Sequence, residues 1–481
     1  MTYSLKQRVF KGVSWSFADN IANSGITFLV GLILARILSP AEFGIIGIVT
    51  IFIAISNSII DSGFSNALIR KNNARDIDYN TVFYFNLGVG IFFYIVLYFC
   101  APLISHFFHE PLLIPVIKII GLVLIINSLA IIQRTLFIKK VDFKTQTKIS
   151  LCASISSGII GIGMALKGFG VWSLVGQQIS RQFINTTLFW IYSKWRPAWQ
   201  FSKTSFNELF SFGSKLLLAG LIDTIWKNIY YLVIGRFYSA GQLGQYTRAE
   251  QFNTIFSSNL TAVVQRVSYP TLSSIQDEAE RLRSAYQKII KVTMLVAFTC
   301  MLGLAAISKS LVIVLIGEKW MEAASFLQII CFSGMLYPLH ALNLNILQVK
   351  GRSDLFLKLE IIKKAIAVLP IIFGIFFGIK YMLLGSVGTS FIGYLLNSHY
   401  SADLINYSSK DQIKDILPTF CIAFGVALCM WSFSLLQISN LLILIIQCTF
   451  GLLAVLLLYE KLGLSEYQEI KQMLFTILKR K

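Results

Sequence analysis

Roughly fourteen apolar stretches, each about 18–25 residues long, follow one another along this chain and constrain its fold more than any other feature. A helix rises 1.5 Å per residue, so about 20 apolar residues cross a hydrocarbon core about 30 Å thick. Within lipid, only helices and closed barrels satisfy their own backbone hydrogen bonds, and these stretches are too long and too uniformly apolar for barrel strands. The sequence therefore predicts an all-α polytopic membrane protein.

The predicted spans are separated by short polar segments that contain breakers such as Ser39-Pro40 and Gly168-Phe169-Gly170. In chain order the spans cover residues 13–37, 43–65, 81–104, 112–133, 149–166, 171–192, 209–234, 245–268, 287–315, 324–347, 359–378, 381–400, 416–436 and 438–459. The span at 245–268 has the weakest pattern, because it contains two arginines and an asparagine.

The charge balance fits a membrane protein rather than a nucleic-acid-binding one. Only 14% of the residues are charged, against about a quarter in soluble domains, and the net charge is +19. Cytoplasmic loops of membrane proteins collect Lys and Arg, and no basic soluble segment is present to bind nucleic acid. With the N-terminus in the cytoplasm, about 28 Lys and Arg lie inside and about 6 outside. An even number of spans with both termini cytoplasmic is therefore expected.

An internal repeat is visible at an offset of about 200 residues, where segment 35–44 aligns with segment 235–244. Two halves of six helices each, with the same orientation, are typical of alternating-access transporters. The predicted organisation is an N-terminal lobe at 1–203, a C-terminal lobe at 204–405, two extra helices at 406–460 and an amphipathic tail at 461–481.

Polar residues recur on single faces of several predicted spans. A polar side chain is energetically unfavourable inside a bilayer, so each one indicates a structural or functional role. Asp19 shares a face with Asn23 and Thr27 in the first span. In the eighth span, Arg248 and Arg266 are 18 residues apart, which returns them to one face about 27 Å from each other. This excess of cations suits an anionic cargo, because Arg and Lys pair with phosphate oxygens.

The candidate residues form two groups. The expected substrate-binding residues are Arg181, Lys215, Lys227, Arg248, Asn259 and Arg266. The candidates for ion coupling or charge balance are Asp19, Asp61 and Asp223. Plainer interpretations stay open: Asp223 and Lys227 can neutralise each other at i,i+4, and the two arginines of the eighth span can extend to the membrane surfaces.

The chain carries no enzyme signature, since it lacks a Gly-rich phosphate loop, a Gly-x-Ser-x-Gly elbow and a His-Glu-x-x-His motif. Its 7 cysteines all lie in apolar stretches without metal-ligand spacing. We therefore expect a transporter rather than an enzyme, with no cofactor and no metal. The energy is expected to come from a proton or sodium gradient or from the gradient of the substrate.

Several motifs, in order, resemble those of bacterial polysaccharide-export flippases of the Wzx-like branch (teichuronic-acid and colanic-acid exporters) of the MOP superfamily. They cover most of residues 5–400 and lie at 38–44, 61–71, 168–175, 243–249, 269–273, 317–320 and 350–352. The resemblance implies fourteen helices in two six-helix lobes plus two more. It also implies a multi-pass protein of the bacterial inner membrane that moves undecaprenyl-diphosphate-linked oligosaccharide by alternating access for surface or exopolysaccharide biosynthesis. Membrane lipids, a polysaccharide polymerase and glycosyltransferases are the expected partners.

Two alternative functions stay open. A cation-coupled multidrug exporter of the same superfamily would need an acidic or aromatic cavity, and drug-resistance profiling distinguishes it. A membrane glycan polymerase or ligase would need a large external loop, whereas the longest predicted external loops have only about 10 residues.

Overall fold

The computed structural model describes residues 22–61 and 63–479, with side chains as far as Gln472. This part of the chain is helical throughout and contains no strand. In it, 9 helices are long and apolar enough to cross a membrane, or up to 10 if one bent pair counts as a single span. The predicted class, an all-α multi-pass membrane protein, is confirmed.

The chain divides into two compact units, the first ending at Gly244 and the second beginning at Gln245. The first unit contains eleven described helices and the start of a twelfth. They are α1 (Ala22–Ile37), α2 (Pro40–Asp61), α3 (Phe64–Arg70), α4 (Asp76–Phe108), α5 (Leu113–Ile120), α6 (Leu122–Ser128), α7 (Ile131–Lys139), α8 (Phe143–Leu166), α9 (Val171–Tyr192), α10 (Lys203–Lys227), α11 (Ile229–Phe237) and α12 (Ala240–Ser273).

The second unit contains the rest of α12 and the helices that follow it. They are α13 (Ala279–Ile316), α14 (Met321–Gly334), α15 (Tyr337–Val349), α16 (Ser353–Ile366), α17 (Val368–Phe377), α18 (Ile379–Ile405), α19 (Ser409–Ser432), α20 (Asn440–Lys461) and α21 (Ser465–Lys479). The long helix α13 packs against α14, α19, α20 and α21. The predicted lobe boundaries rest on the sequence repeat and stay predictions.

The predicted number of fourteen spans also stays a prediction, and the reason lies in the polar helices. The predicted spans at 171–192 and 245–268 exist as the continuous helices α9 and α12. Their polar residues keep them below the mean hydropathy of the apolar helices. The span at 359–378 is divided between α16 and α17, which meet at Ala367.

The two turns of the repeat are built alike. Ser39 precedes α2, and its backbone N–H and its hydroxyl both donate to Glu42 Oε2, at 2.6 and 2.9 Å. Ser239 precedes α12 and accepts a hydrogen bond from the N–H of Gln242 at 3.2 Å. Both serines lie at the N-cap position, where a short polar side chain is favoured.

The same two turns contact each other reciprocally. A Cβ on Gly44 would lie 1.7 Å from the carbonyl oxygen of Ala240, and a Cβ on Gly244 would lie 1.8 Å from that of Pro40. Only a residue without a side chain fits at either position. Because equivalent positions exchange equivalent contacts, the reciprocal packing supports the interpretation of 35–44 and 235–244 as repeats.

Candidate functional site

A first group of polar side chains connects α1, α8 and α9 in the first unit. Asn23 Oδ1 accepts a hydrogen bond from Ser154 Oγ at 2.5 Å and another from an Arg181 Nη at 3.1 Å. Ser154 is buried, whereas Asn23 and Arg181 are half-buried. The predicted polar face of the first helix therefore meets the predicted cation of the sixth span.

A second group begins one residue further along α9 and connects α2, α6 and α7. The Oδ1 atom of Asn127 accepts from Gln182 Nε2 at 3.0 Å and from an Arg134 Nη at 3.4 Å. Its Nδ2 atom donates to Asn57 Oδ1 at 2.8 Å. We call these two groups together the amide network: Asn23, Asn57, Asn127, Arg134, Ser154, Arg181 and Gln182.

Arg134 is the member of the amide network best placed to bind an added anion. Within the described residues its guanidinium makes one hydrogen bond, to the neutral amide of Asn127, and lies 5.9 Å from the ring centroid of Phe189. Asp61 interacts with it electrostatically, but no described carboxylate lies within 4.0 Å of it. A guanidinium has five N–H donors, so most of them stay available to phosphate oxygens.

Asp61, a predicted ion-coupling residue, lies at the end of α2 and organises the turn that follows. Its Oδ1 atom accepts from Ser65 Oγ at 2.5 Å and from the Ser65 N–H at 3.3 Å. Thr135 Oγ1 in turn donates to Ser65 Oγ at 3.2 Å. These contacts support a role for Asp61 in chain geometry and charge balance near Arg134. The predicted coupling residue Asp19 lies outside the described residues.

Lys215, Asp223 and Lys227 are separated by multiples of four residues on α10, and we call this row the stripe of α10. Lys227 Nζ lies 2.7 Å from Asp223 Oδ2 in an i,i+4 ion pair, and both side chains are more than half exposed. Lys215 is exposed on the same helix. The plainer interpretation, in which Asp223 and Lys227 neutralise each other, agrees with this geometry.

The predicted residues of the eighth span lie on α12, in the second unit. Arg248 is buried, donates to Gln251 Oε1 and lies 5.9 Å from the Trp320 ring centroid. Asn259 is half-buried and donates to the carbonyl oxygen of Ile255, at 2.7 Å in its own helix. Arg266 is exposed. The structure therefore does not bring these three residues into one hydrogen-bonded group.

Of the seven members of the amide network, only Arg181 was among the predicted site residues, and Arg134 was the one cation that was missing. The predicted span at 112–133 ended one residue before Arg134, which counted as a cytoplasmic loop charge. In the structure α7 continues to Lys139, so Arg134 belongs to a helix. Amides within apolar stretches were the available signal, because each such group must find a hydrogen-bond partner.

No group of three or more His, Cys, Asp or Glu side chains in the described part of the chain could hold a metal ion. The chemistry of the amide network is thus that of amides, hydroxyls and guanidinium groups. Such a set binds anions and hydroxyl-rich molecules by hydrogen bonds.

Comparison with protein families decides the assignment. The model of a family described as "Polysaccharide biosynthesis protein" matches residues 33–325, which is more than half of the chain. The chain belongs to this family. The predicted resemblance is confirmed.

Curated relatives of this chain carry names that agree with its family. It is 26% identical over 399 residues to "Lipopolysaccharide biosynthesis protein WzxC" of Escherichia coli (strain K12), covering 82% of this chain and 79% of the relative. It is also 26% identical over 355 residues to "Teichuronic acid biosynthesis protein TuaB" of Bacillus subtilis (strain 168), covering 73% of each chain. Both relatives are named for polysaccharide biosynthesis.

Solved structures share the fold. "Lipid II flippase MurJ, inward closed conformation" superposes with a TM-score of 0.74 at 15% identity, covering 94% of this chain and 99% of that one. A multidrug resistance MATE family transporter of the MOP superfamily superposes with a TM-score of 0.60 at 14% identity, covering 80% and 96%. The chain therefore shares the fold of these two proteins.

Proposed function

We propose that this protein is a flippase that moves a lipid-linked oligosaccharide, carried on undecaprenyl diphosphate, across a bacterial inner membrane by alternating access. Family membership and the shared flippase fold support this function, which is that of a transporter and not of an enzyme. The amide network adds a chemical argument, because it presents guanidinium groups to an anionic headgroup.

The observation that carries the headgroup assignment is the half-buried Arg134, whose hydrogen bond goes to a neutral amide. A diphosphate offers paired oxygens at the spacing that a guanidinium fork recognises. Arg181 and Gln182 are consecutive residues of α9, so this helix joins the two groups of the network. We assign headgroup binding to Arg134 and Arg181, and sugar binding to the amides around them.

The exposed stripe of α10 is the second element of the proposal. Apolar side chains of this helix, including Leu218 and Ile222, are also exposed, so α10 has both an apolar and a charged outer face. A charged face is costly against acyl chains, whereas water accepts it. We propose that Lys215 and Lys227 face an aqueous path for the cargo, and that Arg248, Asn259 and Arg266 contribute further polar contacts to it.

Orientation and partners follow from the same function. The Lys and Arg bias of the loops supports cytoplasmic termini at both ends of the chain. Glycosyltransferases that build the oligosaccharide inside, and a polymerase that consumes it outside, are the proposed partners.

A matched pair of arginines tests the proposal in cells that depend on this gene for surface glycan. Arg134→Gln should reduce glycan export at least tenfold with normal protein abundance. Arg196→Gln is the control, because three backbone carbonyls already occupy its guanidinium, so its loss should lower abundance rather than activity per molecule. Unchanged export by Arg134→Gln would contradict the headgroup assignment.

One observation supports the alternative function of a multidrug exporter, namely the fold shared with a MATE family transporter. That likeness concerns the fold alone. Drug-resistance profiles of cells with and without the gene separate the two functions: the flippase predicts identical profiles, together with a loss of surface glycan.

A further inference from the structure

Glu250 is unusual among the carboxylates of the predicted spans. Of the four that the structure describes, Asp61 interacts with Arg134, Asp223 pairs with Lys227 and Glu360 pairs with Lys363 at 2.5 Å. No described Lys or Arg pairs with the fourth, Glu250. It lies ten residues into α12, and at 1.5 Å per residue this is about 15 Å from the start of the helix, or half the thickness of a hydrocarbon core.

The hydrogen bonds around Glu250 are too weak to replace a cation. Asn253 Nδ2 donates to its Oε2 atom at 3.4 Å. Thr254 Oγ1 lies 3.2 Å from its Oε1 atom, but the same hydroxyl donates to the Glu250 carbonyl oxygen at 2.7 Å, so one proton is shared. A carboxylate with such partners in an apolar span is costly in its charged form and far less so when protonated.

Asn253 can serve both forms of the carboxyl group. Its side chain is fully buried, and its Oδ1 atom has no hydrogen-bond partner in the described structure. This oxygen lies against α14, where a Cβ on Gly334 would come within 2.2 Å of it. The amide now presents its N–H to the carboxylate. A 180° rotation of the amide would present Oδ1 as an acceptor for the proton of a carboxylic acid.

Among the described residues, no Lys or Arg acts electrostatically on Glu250. On α14, the titratable group that faces Glu250 is the buried thiol of Cys331. On α12 itself, Arg248 is two residues away and engages Gln251 and the Trp320 ring. Residues two apart on a helix do not face each other. Glu250 is half-buried as a residue.

We propose that Glu250 is the proton-binding site that couples this transporter to a proton gradient. This rests on the flippase function proposed above and names its coupling ion and residue. The Glu250 carboxylate accepts a proton from the side of higher proton activity, becomes a neutral acid that donates to Asn253, and returns the proton to the other side. A bound proton needs only the carboxylate and one acceptor, which Asn253 Oδ1 can supply.

A substrate-independent experiment tests proton binding directly. Infrared difference spectra of the full chain in lipid, taken between acidic and alkaline pH, should show the C=O band of a protonated carboxyl group. Glu250→Gln should remove one component of this band, whereas the control Glu360→Gln, whose carboxyl group has a lysine partner, should keep that component. A band that Glu250→Gln leaves unchanged would overturn the proposal.

A second experiment tests coupling, with undecaprenyl diphosphate as the probe and a pH-sensitive dye inside proteoliposomes. The wild type should show a proton flux when the probe is added, Glu250→Asp a flux reduced severalfold, and Glu250→Gln none. Flux in Glu250→Gln equal to the wild type, or a sodium flux in its place, would overturn the assignment. If the wild type moves no probe, the flippase function fails, and the infrared experiment still decides whether Glu250 binds a proton.

Discussion

The two compact units each hold an ionisable side chain beside an amide within a helix of the membrane region, but the signs are opposite. In the first unit the guanidinium of Arg134 donates to Asn127, and in the second the amide of Asn253 donates to Glu250. A guanidinium stays charged at every physiological pH, whereas a carboxyl group can lose its charge. The first unit thus provides a permanent cation and the second a charge that can be switched.

Reversing the permanent charge should have the largest effect. Arg181→Glu places an anion beside Asn23 in the amide network, and we expect glycan export to fall about 100-fold or more, equivalent to about 3 kcal/mol. Surface glycan per molecule of transporter is the measurement. Lys215→Glu, on an exposed stripe, should cost less, and Lys167→Glu in an exposed turn serves as the control. Equal export by all three variants would remove the distinction between network and surface cations.

Removing the switchable charge should abolish the pH dependence of export and lower its rate. Export by the wild type should vary with external pH, and export by Glu250→Gln should be low and flat. Arg134→Lys should export less than the wild type but keep its pH dependence, because it keeps a permanent cation. A Glu250→Gln variant with the wild-type pH profile would contradict the assignment of the pH-dependent charge to the second unit.

The ion pairs of Lys71 show what a carboxylate with a cation contributes to stability, for comparison with Glu250. Lys71 binds the buried Asp78 at 3.2 Å and the exposed Glu208 at 2.9 Å. Lys71→Ala leaves Asp78 without its cation and should lower the free energy of unfolding by about 1–3 kcal/mol, whereas Glu208→Gln should lower it by less than about 1 kcal/mol. Thermal unfolding in detergent measures both, and a larger loss in Glu208→Gln would contradict the ranking.

The pH dependence of this pair has a defined sign. Burial alone would lower the pKa of Lys71, but hydrogen bonds to Glu208 and Asp78 outweigh burial and raise this pKa above its ordinary value of 10.5. A raised pKa means that the folded state holds the proton more tightly. The contribution is therefore complete at neutral pH and is lost as the pH rises above about 10.5.

The smallest effect is expected at Asp354, in the exposed start of α16. A hydrogen bond from the Arg352 guanidinium holds the pKa of Asp354 at about 2. Its contribution is present above the ordinary carboxyl pKa and is lost as the pH falls toward 2. Because both side chains are exposed, Asp354→Asn should leave thermal unfolding at neutral pH unchanged within error. A clear shift would show that surface pairs matter here.

The sequence predicted the fold class well because long apolar stretches leave a chain few alternatives, and α4, α8 and α20 follow their predicted spans closely. It also predicted that Arg181 and Asn23 belong to polar helix faces, since periodicity is visible in one dimension. Which faces meet is not visible in this way. Arg134 was therefore assigned to a loop.

Glu250 was missed for a similar reason. The family-like motif at 243–249 ends one residue before Glu250, and the cations of α12 dominate the polar pattern of this span. Its significance depends on what is absent nearby, namely a Lys or Arg partner. That absence is a property of packing between α12 and α14, which helical periodicity does not report.

The reciprocal contact between the turns at Gly44 and Gly244 also has a mechanical consequence. Since each backbone rests directly on the other, with no side chain between them, the two helix starts cannot approach further. A methyl group at either glycine would have to push the two turns apart, so alanine at position 44 or 244 should be poorly tolerated.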